Sequence, residues 1–372
     1  MKIAFIIDSL PHYGTQRFLV HLARGLRDLG YAQEVIALND EADRDVEEAL
    51  LQTGCKISTV GKANLLLGGF GWWQLVARLR RSQPDIVMTL LDFADTLGRP
   101  AARLAGCRVI ITSLRMRNLS KPAWRRWLDR HTIAWADRVV FNSERFVTYG
   151  LEKEGVRERQ VIVIPNGVED LRARSGSLRE DYRKQLDLEP TTLLLGWMGR
   201  LSRQKNLPLL LHACSRLTTT RPYKILILGD GPERAHALSL ARELNLDNRI
   251  ILAGSRSDIE GWLAAMDLFV HTADFEGMPN VVMEAMAMGL PIVASNVDGN
   301  RDLIQDGVTG FLAPAGDAAA FAGRIDELLS NRELAHRIGE GARHYILEHF
   351  SIARMISAYH ELFLSLSSQG SS

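Results

Sequence analysis

The sequence contains few cysteines and no recognisable cysteine pattern. Cys55, Cys107 and Cys214 stand far apart among 372 residues. None of them belongs to a CxxC pair or to a Cys/His cluster with metal-binding spacing. This excludes a disulfide framework and a zinc-finger type of site, and it predicts three core thiols in a reducing cytosol.

Long hydrophobic runs are absent as well. The apolar run Ile3–Ile7 ends at Asp8, which is too short for a signal peptide or a membrane span. No run of about eighteen apolar residues occurs elsewhere in the chain. Any membrane contact is therefore predicted to be peripheral.

The chain also lacks low-complexity tracts and a strong net charge. Its formal net charge is +1, 46% of its residues are hydrophobic and 24% are charged. No whole-molecule field attracts nucleic acid, so we predict no nucleic-acid partner. A chain of this length and composition can bury a large core and is predicted to form about two domains.

Buried strands and amphipathic helices alternate along the first half of the chain. The strand Ile3–Ile7 is followed by a glycine turn and by a helix over 17–30 with one apolar face. Further strands are predicted in EVIALN, DIVMTLL, VIITSL, RVVFNS and VIVIPNG. The pattern predicts an open, doubly wound parallel α/β domain over residues 1–168.

The same pattern starts again after a polar segment over 169–190, which is predicted to be an interdomain linker running into a short helix. Strands follow in LLLGWM, KILILG, RIILAG, LFVHT and PIVAS. They predict a second domain of the same class over 191–350, facing the first across a cleft. The amphipathic helix over 351–372 fits either domain, and a crossing back to the first is favoured.

Two segments that follow predicted strands of the second domain suit a phosphate ligand. Gly199 permits close approach of a ligand to the backbone, and Arg200 and Lys205 follow at a spacing that brings both cations to one place. Together these two side chains can neutralise a diphosphate. Gly229 and Gly231, in GDGP, allow a tight turn beside a bulky ligand.

A third segment, FEGMPNVVMEAMAMGLPIVA, carries the glutamates Glu276 and Glu284. A tight loop leads into a helix predicted to begin near Asn280, with Pro279 suited to the first helical position. The amides at this end and the helix dipole form a site for an anion, and the carboxylates suit sugar hydroxyls. A capped core helix followed by a buried strand is the alternative interpretation.

Five segments match one known family. They are GRLSRQKN at 199–206, GDGP at 229–232, FEGMPNVVMEAMAMGLPIVAS at 275–295, IPNGV at 164–168 and, more loosely, GTQRFLVHLARGL at 14–26. Through them the chain resembles the retaining glycosyltransferases of family 4, the glycosyl transferases of group 1, over nearly its whole length. The resemblance implies the GT-B fold, in which two Rossmann-like domains face a cleft.

The resemblance also implies roles for individual residues. Glu284 matches the carboxylate that holds the ribose hydroxyls, and Glu276 matches the one that contacts the donor sugar. Arg200 and Lys205 match the pair on the diphosphate and, with Glu276, are the catalytic candidates. The donor-binding set is completed by Gly14 in a first-domain loop over the phosphate, by Gly199, Gly229 and Gly231, and by Gly277, Met278, Pro279, Asn280 and Val281.

The implied activity is retaining transfer of a hexose-type sugar from a UDP- or GDP-linked donor. The implied acceptor is lipid-linked or a polysaccharide in cell-surface glycan biosynthesis. No DxD-like acidic pair stands where a metal would be needed, so we expect metal-independent transfer without a cofactor, the nucleotide-sugar being a substrate. A GT-B nucleotide-sugar epimerase, a glycogen-synthase-like enzyme and a non-catalytic nucleotide-sugar-binding scaffold stay open as alternatives.

The chain departs from the family in its first domain. The usual glycine pair of the first loop is Tyr13-Gly14 here, and LRMRN stands where many relatives carry a histidine aimed at the donor sugar. Arg115 and Arg117 in this segment, together with His12 beside the glycine loop, are the candidates for the acceptor side of the site.

Basic and aromatic residues are concentrated in the first domain. Ten basic, two acidic and three tryptophan residues lie between Arg99 and Arg138, and Trp72 and Trp73 precede another basic stretch. Two interpretations are open: contact with an anionic membrane at its inner face, or a tryptophan-rich core with a solvated basic face. His131, on a helix with three of the tryptophans, is predicted to be a packed core histidine.

Overall fold

The computed structural model describes residues 1–11, 14–61, 70–115 and 121–369, with the side chains of Phe70 and Gln369 left out. The chain divides into two compact units. Unit 1 comprises Met1–Gly167 and the C-terminal segment from Ile352, and unit 2 comprises Val168–Ser351.

Unit 1 is built on a parallel sheet. Within the described residues its strands are β1 Lys2–Ile7, β2 Ala32–Ala37, β3 Lys56–Thr59, β4 Ile86–Leu90, β5 Val109–Leu114, β6 Arg138–Phe141 and β7 Val161–Val163. Their order is β3-β2-β1-β4-β5-β6-β7. The central strands are apolar runs buried on both faces, as expected for a parallel sheet covered by helices on both sides.

The connections of unit 1 are helical. Its described helices are α1 Gly14–Asp28, α2 Arg44–Gln52, α3 Phe70–Ser82, α4 Asp92–Ala105, α5 Ala123–Thr132 and α6 Glu144–Tyr149. A 3₁₀ turn, Ile133–Trp135, follows α5 directly. In α1 the buried face contains Phe18, Leu22 and Leu26, spaced as an amphipathic helix requires.

Unit 2 repeats the architecture. Its described strands are β8 Leu193–Met198, β9 Tyr223–Leu228, β10 Ile250–Gly254, β11 Leu268–His271, β12 Ile292–Ser295 and β13 Phe311–Ala313, in the order β10-β9-β8-β11-β12-β13. Its described helices are α7 Leu171–Ser175, α8 Leu178–Gln185, α9 Leu207–Cys214, α10 Arg234–Glu243, α11 Ile259–Ala265, α12 Asn280–Met288, α13 Asp298–Leu303, α14 Ala318–Ser330 and α15 Arg332–His349. The prediction of two doubly wound α/β units is confirmed.

The last helix, α16 Ile352–Gln369, is part of unit 1. Met355, Tyr359 and Phe363 lie in the same apolar core as the residues of β1 and α1. Close packing against α1 is visible at Gly25, where an added Cβ would lie 2.1 Å from Ile356 Cδ1.

The unit boundary lies one residue earlier than predicted. The amide of Val168 donates to the carbonyl of Phe350 over 2.8 Å, and Val168 forms a parallel bridge with Ser351. These backbone contacts place Val168 in unit 2 rather than at the end of unit 1.

The predicted linker over 169–190 belongs to unit 2 as well. Its helices α7 and α8 contact α11. Arg179 donates to the carbonyls of Ala264 and Met266 over 2.8 and 2.7 Å, and the Tyr182 ring packs edge-on against Trp262 at 5.0 Å. The polar composition of this segment reflects hydrogen bonds to the end of α11 and not a free connection.

Candidate functional site

The switch point of the unit 2 sheet lies between β8 and β11. The chain runs from β8 through β9 to β10 on one side of this point. It then returns and runs from β11 through β12 to β13 on the other side. In doubly wound sheets ligands bind outside the carboxyl ends of the strands at this point. The segments that leave these two strands, 199–206 and 272–279, contain most of the predicted donor residues.

The turn after β9 packs tightly against the segment that leaves β8. A Cβ on Gly229 would lie 1.9 Å from the carbonyl oxygen of Gly199, and one on Gly231 would lie 2.3 Å from that of Leu201. Leu201 donates its amide to the carbonyl of Asp230 over 2.9 Å. The glycines of GDGP therefore allow two backbone segments to meet, and this contact shapes the segment that carries Arg200.

The segments leaving β8 and β11 are joined by a short hydrogen-bond chain. The indole of Trp197 donates to the hydroxyl of Thr272 over 3.0 Å, and that hydroxyl donates to the carbonyl of Lys205 over 2.9 Å. The amide of Asp274 donates to the carbonyl of Gln204 over 2.9 Å. The 3₁₀ turn Arg203–Lys205 is thus fixed next to the loop that carries Glu276.

Lys205 and Glu276 form an ion pair across these two segments. The Lys205 amine donates to Oε1 of Glu276, and the side chains are only 18% and 11% exposed. Partial burial strengthens such a pair, because solvent screens it less than a surface pair. The structure therefore places the predicted sugar-contacting carboxylate beside a predicted diphosphate cation.

The helix that follows Glu276 begins at Asn280, as predicted. Pro279 is its N-cap residue and not its first helical residue, with φ of −76° and ψ of 106°. The carbonyl of Pro279 accepts from the amides of Val282 and Met283 over 3.1 and 3.3 Å. The positive end of the α12 dipole is thus adjacent to Glu276 and Lys205.

A second helix closes on the same loop. A Cβ on Gly299, in α13, would lie 2.4 Å from the carbonyl oxygen of Gly277 and 3.0 Å from that of Glu276. The next residue, Asn300, is fully buried and donates to the carbonyl of Ser295 over 2.8 Å. Glycine at 299 therefore holds the Glu276–Gly277 backbone against the start of α13.

The other predicted donor residues of unit 2 differ in exposure. Glu284 lies in α12 and is 3% exposed, so α12 carries it inside the unit. Arg200 is exposed, two residues beyond the end of β8. An exposed cation beyond the strand end is accessible to an incoming diphosphate.

The candidates in unit 1 have mixed outcomes. Gly14 is the first residue of α1 and does not lie within a loop. Arg115 is 8% exposed; it donates to Ser113 Oγ over 3.2 Å and to Asn166 Oδ1, and its guanidinium lies 3.5 Å from the centre of the Phe18 ring. Burial lowers the pKa of this guanidinium, and its contact with Tyr359 raises it. These contacts give Arg115 a structural role, and its acceptor-side role gains no support from them.

His12 and Arg117, the remaining acceptor-side candidates, lie outside the residues that the structure describes. Their predicted role therefore stays a prediction.

Helix α5 has an inverted arrangement of charged and aromatic residues. It buries Arg125, Asp129 and Thr132. Trp124 and Trp127 on the same helix are 63% and 62% exposed, and Trp135 in the next turn is 44% exposed. The interpretation of these tryptophans as a core is therefore wrong.

His131 is also exposed, which corrects its prediction as a core histidine. Its Nδ1 donates to the carbonyl of Trp127 over 2.7 Å, and its ring lies 4.2 Å from the ring of Trp127. The physical reason is the buried charged face of α5, which leaves the aromatic residues on the outside.

The inward face of α5 is held by a buried ionic network. Arg99 and Lys121 each lie 2.8 Å from Asp129, and Lys121 also lies 2.9 Å from Asp92 and 3.3 Å from Glu154. The side chains of Arg99, Lys121 and Asp129 are at most 5% exposed. Part of the basic region therefore neutralises carboxylates inside unit 1.

Two further findings concern the described residues alone. They contain no group of three or more His, Cys, Asp or Glu residues arranged to hold a metal ion. None of their helices combines the length and the apolar character that crossing a bilayer requires.

Comparison with known proteins assigns the family. The model of "Glycosyl transferases group 1" matches residues 179–345, and that of "Glycosyltransferase Family 4" matches residues 13–172. The chain belongs to the family 4 glycosyltransferases. The match to this glycosyltransferase family spans both units and includes every unit 2 residue predicted to bind the donor.

The relatives of this glycosyltransferase include two bacterial enzymes. A lipopolysaccharide core biosynthesis glycosyltransferase, LpsE of Rhizobium meliloti, is 27% identical over 95% of this chain and 96% of its own. An Escherichia coli enzyme named UDP-Gal:alpha-D-GlcNAc-diphosphoundecaprenol alpha-1,3-galactosyltransferase is 28% identical over 88% of this chain and 86% of its own.

Solved structures show the same fold. HepE of Anabaena, crystallised with UDP and glucose, matches with a TM-score of 0.86 at 24% identity over 98% of this chain and 100% of its own. WaaG, a glycosyltransferase involved in lipopolysaccharide biosynthesis, matches with a TM-score of 0.75 at 16% identity over 97% and 99% of the two chains. The predicted GT-B fold of this glycosyltransferase is confirmed.

Sequence reasoning missed two members of this site, His271 and Asn300. His271 ends β11 with a side chain 1% exposed, and its Nε2 lies 3.7 Å from Glu276 Oε1. A polar residue at the carboxyl end of the apolar run LFVH is the signal that could have identified it. Asn300 has no comparable signal, because its proximity depends on how α13 packs.

Proposed function

We propose that this glycosyltransferase transfers a hexose-type sugar, with retention of anomeric configuration, from a UDP- or GDP-linked donor without a metal ion or cofactor. The observation that carries the proposal is the Lys205–Glu276 ion pair at the N-terminal end of α12. It brings a cation for the diphosphate, a carboxylate for the sugar hydroxyls and a helix terminus together.

The roles of the donor residues follow from their positions. Arg200 and Lys205 neutralise the diphosphate, with the backbone of 277–281 toward its distal phosphate and the sugar. Glu276 accepts hydrogen bonds from the sugar, and the buried Glu284 accepts them from the ribose. A buried carboxylate binds a ligand that supplies hydroxyl donors much more tightly than a ligand that lacks them, because without them its oxygens stay unpaired.

The chemistry requires stabilisation of a leaving group. As the glycosidic bond breaks, the nucleoside diphosphate gains negative charge, so cations and helix amides fixed beside it stabilise the transition state more than the ground state. Arg200 and Lys205 supply the positive charge that a metal ion provides in other enzymes. We therefore expect transfer to continue in the presence of a chelator.

The proposed acceptor is lipid-linked or a polysaccharide in cell-surface glycan biosynthesis. Its support is the pair of relatives named for lipopolysaccharide core assembly and for transfer to a diphosphoundecaprenol-linked sugar. A nucleotide-sugar epimerase would act on the donor without any acceptor, and a scaffold would bind the donor unchanged.

One experiment separates these alternatives. Thermal unfolding is followed with UDP-, GDP- and ADP-glucose, since a ligand of the native state raises the melting temperature. The donor that binds is then incubated with the enzyme and a lipid-linked glycan, with and without EDTA. Transfer with EDTA present supports the proposal, whereas binding without transfer or hydrolysis favours the scaffold.

The outward face of α5 supports the further proposal that the enzyme contacts a membrane. Arg126 and Arg130 are exposed on the same helix as the outward tryptophans Trp124 and Trp127. Indole rings settle at headgroup depth in a bilayer, and nearby arginines attract anionic lipid. This face fits peripheral contact with the inner, anionic surface of a membrane, where a lipid-linked acceptor is found.

Liposome flotation tests this contact. We expect the enzyme to float with vesicles that contain phosphatidylglycerol and not with pure phosphatidylcholine, and we expect the Trp124→Ser/Trp127→Ser double variant to lose most of this binding. Leu51→Ser is the matched control, because Leu51 is 55% exposed on another helix of unit 1. Failure of the unmodified enzyme to float at low salt would remove the membrane contact from the proposal.

A further inference from the structure

His271, at the end of β11, stands beside the Lys205–Glu276 ion pair. Its Nε2 lies 3.7 Å from the same Oε1 of Glu276 that accepts the Lys205 amine. The side chain of His271 is only 1% exposed. One carboxylate oxygen therefore has two nitrogen groups within reach, and Lys205 is the closer of the two.

The imidazole of His271 is poorly satisfied in this state. Neither ring nitrogen makes a hydrogen bond of normal length to another described residue, although the nearby Asn300 side chain favours the charged ring. A buried polar group left this way is destabilising, because the hydrogen bonds that it made to water in the unfolded chain are not replaced. Buried polar groups without a partner are rare in native proteins. The His271 imidazole is explained if it gains a hydrogen-bond partner in another state of the site.

Within the described part of the chain, three groups face this ring from the elements packed around it. Lys205 approaches from the 3₁₀ turn after β8, Glu276 from the loop before α12, and Asn300 from α13. Burial lowers the pKa of His271 well below 6.5, the charge of Lys205 lowers it further, and Asn300 raises it. The ring is therefore neutral at neutral pH while Lys205 remains beside it.

A diphosphate competes with Glu276 for Lys205. Two anionic phosphates beside the exposed Arg200 attract the amine more strongly than one carboxylate does. When the amine turns to them, His271 loses its neighbouring positive charge, and Glu276 loses its cation in a partly buried site. Both changes favour a proton on the ring.

We propose that donor binding exchanges the partner of Glu276: Lys205 moves to the diphosphate, and His271 takes up one proton and pairs with the carboxylate in its place. The inference rests on the proposed function, because its ligand is the donor of the same site. No covalent bond changes except that one solvent proton joins the ring, while Glu276 stays anionic and Lys205 stays cationic. His271 is thus a positioning residue that holds Glu276 toward the sugar.

The exchange links donor binding to proton uptake. The bound state holds the proton more tightly than the free state, so donor affinity falls as pH rises through the bound-state pKa of His271. By linkage, uptake of one proton changes affinity by at most about tenfold for each pH unit. A histidine with a purely structural role would leave donor affinity free of this dependence.

Isothermal titration with UDP-glucose near pH 7 measures the proton directly. The binding enthalpy is compared in two buffers of different ionisation enthalpy, and UDP-glucose is used because its diphosphate does not titrate in this range. We expect the unmodified enzyme to take up roughly half a proton to one proton for each donor molecule bound, as titration of a single site requires. We expect His271→Gln to bind the donor with no uptake.

His344→Gln is the matched control, since His344 is 84% exposed on α15 and should leave the uptake unchanged. Equal binding enthalpies of the unmodified enzyme in the two buffers would overturn the exchange, and this measurement requires no variant to fold. GDP-glucose and ADP-glucose are titrated if UDP-glucose does not bind. Absence of binding to all three overturns the proposed function itself, whereas binding without proton uptake overturns the exchange alone.

Discussion

Arg99 and Asp129 form an ion pair of 2.8 Å with side chains only 1% and 3% exposed. Arg99 lies on α4 and Asp129 on α5, and the second oxygen of Asp129 lies 2.8 Å from Lys121. Because α5 exposes its tryptophans, this charge network, and not an apolar face, holds the helix on unit 1.

Asp129→Ala should therefore be strongly destabilising. It leaves Arg99 and Lys121 buried without their shared carboxylate, and removing one partner of a buried pair costs about 3–5 kcal/mol. Urea unfolding at neutral pH measures the loss in free energy of unfolding. The control is Glu48→Ala, whose partner Arg44 is 89% exposed, so a loss below about 1 kcal/mol is expected there. Equal effects of the two substitutions would contradict the structural role of the network.

Asp8 should make unit 1 less stable as pH rises. Burial raises the pKa of Asp8 from 3.8 to about 6, against the opposing hydrogen bonds from the amides of Ala94 and Phe93. The folded state therefore holds the proton more tightly than the unfolded state, and the free energy of unfolding falls as pH rises from 3.8 to about 6 and levels off above that. Two pKa units correspond to about 3 kcal/mol at most.

Asp8→Asn removes this contribution and keeps an oxygen for the two amides. Unfolding curves of the variant and the unmodified protein, measured from pH 4 to pH 8, should diverge in favour of the variant as pH rises. Asp40→Asn at an exposed position is the control. A stability difference that stays constant over this pH range would show that Asp8 does not titrate as described.

Gly299→Ala should weaken donor binding. Its Cβ would lie 2.4 Å from the carbonyl oxygen of Gly277, so the Glu276–Gly277 backbone must shift to accommodate it. A displacement of about 1 Å in a group that positions the substrate can lower the rate about a hundredfold. Gly323→Ala in α14 is the matched control, because nothing lies within 4 Å of its Cβ position. Steady-state kinetics that are equal in the two variants would contradict the packing role of Gly299.

Arg200→Ala should lower turnover by at least about a hundredfold, which is the scale of one lost transition-state donor. The physical reason is the charge that the nucleotide leaving group gains. Arg203→Ala is the control in the same segment, since the Arg203 side chain is 95% exposed and lies 3.8 Å from Glu233. Turnover that survives Arg200→Ala would remove this residue from the diphosphate site.

Strong local patterns predicted most of the fold. The strand Leu193–Met198 and the start of α12 at Asn280 match the structure to the residue, because an uninterrupted apolar run and a Pro-led helix are explicit signals. Two edge strands escaped prediction. Lys56–Thr59 is polar at both ends and half-exposed, and Phe311–Ala313 has only three residues, so neither forms a recognisable apolar run.

The donor site was predictable as a set of residues and not as a set of contacts. Lys205 and Glu276 are 71 positions apart, and their pairing depends on the order of β8 and β11. The orientation of α5 was not predictable from composition. Its tryptophans have the composition of core residues, and only the structure shows that Arg125 and Asp129 are buried instead, with ionic partners on α4 and in the segments beside it.

The place of α16 in the core of unit 1 has a consequence for biosynthesis. Residues 1–167 leave the ribosome long before Met355, Tyr359 and Phe363, which complete their core. Unit 2 has all its residues by Ser351. The second unit can therefore finish folding first, while the nascent first unit keeps an apolar groove along α1 open until α16 has been translated, and deletion of α16 would leave that groove permanently exposed.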